Sequence, residues 1–139
     1  MPHGPVTSTI HTMADVWDAY RAELDGVEDR VHKNLNSSVT LVNTVAAHIL
    51  NSGGKRIRPL LLLLSARLCG YIGREHHQLG SLVEFIHTAT LLHDDVVDDA
   101  ELRRGRQTAR KVWGNQISIL VGDYLYSKAM CQVVEFRSQ

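Results

Sequence analysis

Apolar residues recur at every third or fourth position along nearly the whole of this chain, and that spacing commits it to helices. Trp17, Tyr20, Leu24, Val27, Val31 and Leu35 form one such stripe, the buried face of an amphipathic helix. Leu41, Val45, Ala46 and Ile49 form a second, with Gly53-Gly54 as its stop signal. Pro59 suits the first turn of a third helix, from Leu60 to about Cys69, which Gly70 can end. That segment is apolar nearly all round and is expected to be buried. A fourth helix is predicted from about Gln78 to Asp98, through Leu79, Val83, Ile86, Thr90 and Val97. The polar stretch from Ala100 to Arg110 reads as a connection. A last helix begins near Lys111 and carries Ile117, Leu120, Val121, Tyr124 and Val134, with no cap or stop before Gln139. No alternating strand pattern of useful length interrupts this, so the fold class is all-α: an antiparallel helix bundle of about five or six helices. Residues 1–13 are expected to form a flexible tail, and residues 14–139 the helical domain.

With 139 residues, a single domain is the natural division of the chain. Fifteen Lys and Arg balance fifteen Asp and Glu, which removes any case for a nucleic-acid binder drawn by bulk charge. The strongest apolar run, Leu60 to Leu64, ends soon after at Arg67, far short of the roughly 20 residues a membrane span needs. Met1 to Ala14 offer neither the basic start nor the apolar block of a signal peptide. The expectation is a soluble cytoplasmic protein. Cys69 and Cys131 have no metal-binding spacing and read as two buried thiols in a reducing compartment.

The segment His93-Asp94-Asp95-Val96-Val97-Asp98-Asp99-Ala100-Glu101 places five acids within eight residues on what should be helix. Like charges four apart each cost a few tenths of a kcal/mol, so the helix needs a reason to keep them. Asp94 and Asp98 share a face, and His87 falls on the same stripe. Hard oxygen ligands without cysteine suit Mg²⁺, which commonly bridges to a substrate's phosphates. The alternative is a solvated acidic helix end neutralised by Arg103, Arg104 and Arg106, with Asp99 and Arg103 at the spacing of an ordinary pair.

Gly53-Gly54-Lys55-Arg56-Ile57-Arg58-Pro59 sets three cations within four residues at a proline-started helix, in a chain of zero net charge. Backbone N–H groups at a helix N-terminus favour an anion, and Lys55 and Arg58 would add charge-assisted bonds. A diphosphate is the natural ligand, against the plainer reading of a basic surface loop. Arg103-Arg104-Gly105-Arg106, just past the acids, could grip the phosphate oxygens that a metal leaves uncovered.

These segments resemble the trans-isoprenyl (polyprenyl) diphosphate synthases. GGKRIRPLLLLLSARLCG is similar to the family's isopentenyl-diphosphate region, FIHTATLLHDDVVDDAELRRG to its first aspartate-rich motif, and LVGDYLYSKA to the helix that follows. The likeness runs from about Ala14 to Met130 and is strongest to the long-chain members. It implies the isoprenoid-synthase bundle. It also implies that Asp94 and Asp98 bind Mg²⁺ with Asp95 assisting, making these three the catalytic acids. Arg103 would hold the allylic diphosphate, of farnesyl type; Lys55, Arg58, His87 and Arg104 would hold isopentenyl diphosphate, with Gly54 shaping that loop. The implied reaction is head-to-tail condensation to a long-chain, octaprenyl-like all-trans polyprenyl diphosphate, by a homodimer. In the family, bulky residues just before the first aspartate close the tail cavity. Ala89 and Thr90 stand there and are small, which favours an open tunnel, although small residues also serve close helix packing.

Gln107 departs from the proline that many relatives carry after RRG-x, and no second aspartate-rich motif occurs. The chain is therefore expected to be the N-terminal half of such an enzyme, inactive alone. Two other functions stay in view. A class I terpene cyclase also uses an aspartate-rich helix, but it needs no second diphosphate site. An inactive partner subunit of a heteromeric synthase would have less need of Asp94, Asp98, Arg103 and Arg104 together.

Overall fold

The apolar stripe that begins at Trp17 folds as two helices rather than one. In the computed structural model, which describes residues 9–137, α1 spans Met13–Ala19 and α2 Arg21–Leu35. Thr12 and Asp15 close a capping box at the start of α1, so helix begins inside the segment expected to be a flexible tail; residues 1–8 of that tail lie outside the described residues. Tyr20 alone leaves helical geometry, yet Tyr20 N–H still donates to Val16 O and Leu24 N–H to Tyr20 O. The stripe therefore continues through the bend, and Tyr20, Val27, Val31 and Leu35 are all buried.

Next come α3 (Thr40–Leu50), α4 (Ile57–Leu68) and α5 (Glu75–Val97). The expected polar connection contains a two-residue hairpin, β1 (Leu102–Arg103) antiparallel to β2 (Arg106–Gln107). Arg104 and Gly105 fill its tight turn with φ of 51° and 77°, the left-handed pair that suits a right-twisted hairpin. Two further helices follow, α6 (Ala109–Trp113) and α7 (Asn115–Arg137), split by Gly114 at φ 89°. The described residues thus hold seven helices rather than five or six.

Helix α5 is the axis of the bundle, packing against α7, α2 and α4. Phe85, Ala89 and Leu92 of α5 meet Val45 and Ala46 of α3 and Leu125 and Ala129 of α7 in one core in which all are essentially inaccessible. No helix among the described residues is long and apolar enough to cross a membrane.

Two expectations fail here. Helix α4 is not buried all round: Pro59, Leu60 and Leu63 are, but Leu61 is 57% and Leu68 89% exposed. Among the described residues its main packing partners are α5 and α2, so one face is covered and the other largely is not. Cys69, which caps this helix, is exposed, as is Cys131 on α7; neither is a buried thiol.

Candidate functional site

A cavity of about 590 Å³ opens between the α3–α4 loop, the middle of α5 and the hairpin turn. The loop supplies Gly53, Gly54, Lys55 and Arg56; the first turn of α4, Ile57 and Arg58; α5, Glu84, His87 and Thr88; the turn, Arg104. The four residues expected to hold isopentenyl diphosphate, Lys55, Arg58, His87 and Arg104, therefore line one cavity with Gly54, expected to shape the loop.

The loop is held from both sides. The Trp17 indole N–H donates to the Lys55 carbonyl at 3.1 Å, so a residue legible only as part of an apolar stripe anchors the basic loop. Arg56, at φ 47°, turns inward to make two bonds to Glu28, at 3.0 and 2.9 Å, and one to the buried Glu84 at 3.4 Å. It is a fastening cation rather than a ligand-facing one. Gly54 has a steric role: a Cβ there would stand 3.0 Å from an Arg104 guanidinium nitrogen. Opposite, Arg106 donates to Asn51 O at 3.0 Å and His48 Nε2 lies 2.8 Å from Gln107 O, which ties the hairpin to the end of α3. The strand uses only the carbonyl of Gln107 in this tie, which any residue supplies.

Pairing sorts the charges. Asp95, 2% exposed, receives Arg103 on both carboxylate oxygens, at 2.7 to 3.2 Å. Asp99 pairs with Arg110, and Glu101 with Lys111 at 2.7 Å. Among the described residues Lys55, Arg58 and Arg104 have no ion pair, and neither have Asp94 and Asp98. Three cations at one cavity and two exposed carboxylates four residues apart are thus left free for something else. Helix α4 adds to the first group, because among the described residues no side chain caps its N-terminus and the N–H groups of Ile57 and Arg58 have no partner.

The electrostatics agree. Burial pushes the His87 imidazole below its ordinary range, and Arg58, Arg104, Arg103 and Arg56 push it further the same way. A field of four guanidiniums repels a metal ion and attracts an anion. His87 shares a stripe with Asp94 and Asp98, but it belongs to the cationic cavity. Burial raises the Glu84 carboxyl, and Arg56 and Arg58 only partly offset this.

Asp95 and Arg103 are joined to each other. Asp95 faces inward and fixes Arg103, whose remaining guanidinium nitrogen has no partner among the described residues. Arg103 in turn feels Asp94 and Asp98 as well as Asp95, so the hairpin bridges acids and cavity. Asp94 and Asp98 fit a magnesium ion as far as they go: hard, exposed, unpaired oxygens on one helical face, with room for water and phosphate oxygens. Among the described residues no third His, Cys, Asp or Glu completes a three-ligand set with them. Of the two residues expected to set chain length, Ala89 is 1% exposed and packed in the core, whereas Thr90 is exposed on the face of Asp94. Sequence reasoning missed Glu28, Glu84 and Trp17, whose partners lie 28 or more residues away.

The profile of the Polyprenyl synthetase family matches residues 39–138. The octaprenyl diphosphate synthase of Escherichia coli (strain K12) is 50% identical over 107 residues, which is 77% of this chain and 33% of that protein. The all-trans-nonaprenyl-diphosphate synthase (geranyl-diphosphate specific) of Rhodobacter capsulatus is 41% identical over 122 residues, 87% of this chain and 38% of that one. Among solved structures, a polyprenyl synthase from Caulobacter crescentus CB15, complexed with calcium and isoprenyl diphosphate, superposes with a TM-score of 0.85 at 41% identity. That match covers 89% of this chain and 38% of the other. This chain thus spans about a third of the length of the relatives it matches. The matched profile, the shared bundle and the cationic cavity beside an aspartate-rich helix together place the chain in the polyprenyl synthetase family.

Proposed function

We propose that this chain carries the diphosphate-binding part of a prenyltransferase that condenses isopentenyl diphosphate with an allylic diphosphate, head to tail, into a long-chain polyprenyl diphosphate. The observation that carries the reading is the sorting of charge: Lys55, Arg58 and Arg104 are left without ion pairs around one cavity, while Asp94 and Asp98 are left without them on the neighbouring turn. The cavity holds isopentenyl diphosphate, its phosphates on those three cations and the uncapped start of α4, with neutral His87 available as a hydrogen-bond donor. Arg103, oriented by Asp95, offers its free nitrogen to the allylic diphosphate.

In the reaction the allylic C–O bond breaks and its electron pair leaves with the diphosphate. The isopentenyl double bond attacks the resulting cation, and a proton is lost to restore an alkene. Asp94 and Asp98 would hold a Mg²⁺ ion, which would supply Lewis-acid stabilisation of the departing charge. The cations of the cavity keep the second diphosphate in place while that charge develops nearby. Thr90, small and on the face of Asp94, leaves room for a growing chain; Ala89 serves helix packing instead. We further infer a cytoplasmic homodimer of octaprenyl-like product length. A terpene cyclase has no use for a second diphosphate cavity.

The test is calorimetric titration of the 139-residue chain with inorganic pyrophosphate, without metal. Lys55→Ala, Arg58→Ala and Arg104→Ala should each weaken binding by about tenfold or more, since each removes a charge-assisted bond. Asp94→Asn should not weaken it under these conditions. Equal affinity across all four variants would overturn the reading.

A further inference from the structure

The first turn of α5 carries two adjacent histidines that diphosphate chemistry does not use. His76 and His77 both direct Nε2 at one carboxylate oxygen of Glu23, in the first turn of α2, at 2.9 and 2.5 Å. The ligand-capable atoms of the three residues lie within 4.8 Å of one another, and among the described residues this is the one group of its kind.

The geometry is more than an incidental ion pair. The two rings stand 4.3 Å apart, largely shielded, with side chains 15% and 23% exposed. With both protonated, two like charges would sit side by side around a single acceptor. Gly26 lies one turn after Glu23, and a Cβ there would come within 2.9 Å of the His77 ring, so this face of α2 is cut away to seat it. Nδ1 of His76 is buried without a hydrogen bond among the described residues, so the Glu23 carboxylate alone holds the proton on Nε2, and a metal ion would take that proton's place. The Tyr71 ring, 5.6 Å away and edge-on, backs that imidazole.

We propose that Glu23, His76 and His77 form a binding site for Zn²⁺ that pins the start of α2 to the start of α5. Two imidazole nitrogens and one carboxylate oxygen with a fourth position open match the donor set of zinc, and not the all-oxygen shell that magnesium requires. Tetrahedral bonds of about 2.0–2.1 Å hold ligand atoms about 3.3 Å apart. The present 2.9 and 2.5 Å contacts need open by less than about 1 Å to admit the ion. The site is separate from the diphosphate cavity: ten residues of helix, about 15 Å, divide His77 from His87, and a further seven lie before Asp94. Binding to the folded chain alone raises its stability by mass action, so zinc acts there as a clasp.

The experiment is titration of the 139-residue chain, in a Cys69→Ser/Cys131→Ser background, with zinc and with cobalt. One equivalent should bind with a dissociation constant of micromolar order and raise the thermal midpoint. Glu23→Gln and His77→Ala should each weaken binding by about tenfold or more, whereas Asp94→Asn/Asp98→Asn should leave it unchanged. Should His77→Ala lose helix content, the unsubstituted chain decides: bound cobalt should broaden the NMR signals of His76 and His77 before any others. The proposal falls if no ion binds at about a hundred times that concentration, if binding survives both substitutions, or if broadening centres on Asp94 and Asp98.

Discussion

Asp94 and Arg103 are both proposed for the site, yet their removal should have opposite weights. Arg103 neutralises an aspartate that is 2% exposed, so Arg103→Ala leaves a buried charge with no partner. A loss of about 3–5 kcal/mol is expected, read from urea denaturation at neutral pH. Asp94 is exposed and unpaired, and its nearest like charge on the face is Asp98. Asp94→Asn should move stability by no more than about 0.5 kcal/mol, and upward if at all. A large loss in Asp94→Asn would mean that the acid is structural. His87 gives the pH counterpart. Its folded-state value lies below the ordinary 6.5 because of burial first and the surrounding arginines second. The unfolded chain therefore takes up the proton first, and stability that is full above pH 6.5 declines as pH falls through the folded value. His87→Gln should flatten the urea midpoint between pH 7 and pH 5, and added pyrophosphate should raise the imidazole value followed by NMR.

Among the elements, what the sequence discloses and what it hides follow from range. Spacing of three and four exposed the amphipathic helices, because burial of a stripe is a local regularity, while Pro59 and Gly70 around an apolar run marked α4. Single-residue breaks at Tyr20 and Gly114 stay hidden, since the apolar pattern runs through them undisturbed. The full burial expected of α4 fails because a run of leucines says nothing about which neighbours exist to cover it. The same limit applied to the site: the five cavity residues could be named from two short motifs, whereas the fastening of Arg56 by Glu28 and Glu84 could not. Asp95 likewise could not be told from Asp94 without knowing which way each faces. Gly114 supplies the test at this scale. At φ 89° and ψ 165° it occupies a region essentially closed to other residues, and it sets the angle between α6 and α7. Gly114→Ala has open space around the new methyl, so any cost is conformational. We expect about 1–3 kcal/mol, with helix content retained by circular dichroism; a neutral substitution would show that the junction relaxes freely.

At the scale of the whole molecule, the uncovered apolar surface decides behaviour. Leu61, Leu68 and Ile72 around α4 are 57, 89 and 98% exposed, and Leu120 and Val134 on α7 are 62 and 66% exposed. Between these helices lies an apolar groove of about 580 Å³, floored by Leu62, Ala66 and Leu79 and edged by Phe136. A zero net charge offers no repulsion to keep such faces apart, and large apolar patches on soluble domains seek partners. The 139-residue chain should therefore self-associate, with a sedimentation coefficient that rises with concentration across the micromolar range. Leu68→Glu and Ile72→Lys, both on nearly bare positions, should shift it toward monomer without loss of helix. Association should also be separable from ligand binding, because the cationic cavity lies on the loop and hairpin side and uses none of these residues. The dispersed double variant should accordingly bind pyrophosphate as tightly as the unsubstituted chain, while neither should turn over isopentenyl and farnesyl diphosphates with magnesium. That last expectation rests on Asp94 and Asp98 lacking a third ligand among the described residues. Radiolabel appearing in long-chain product from the monomeric variant would show that the acids on α5 suffice by themselves.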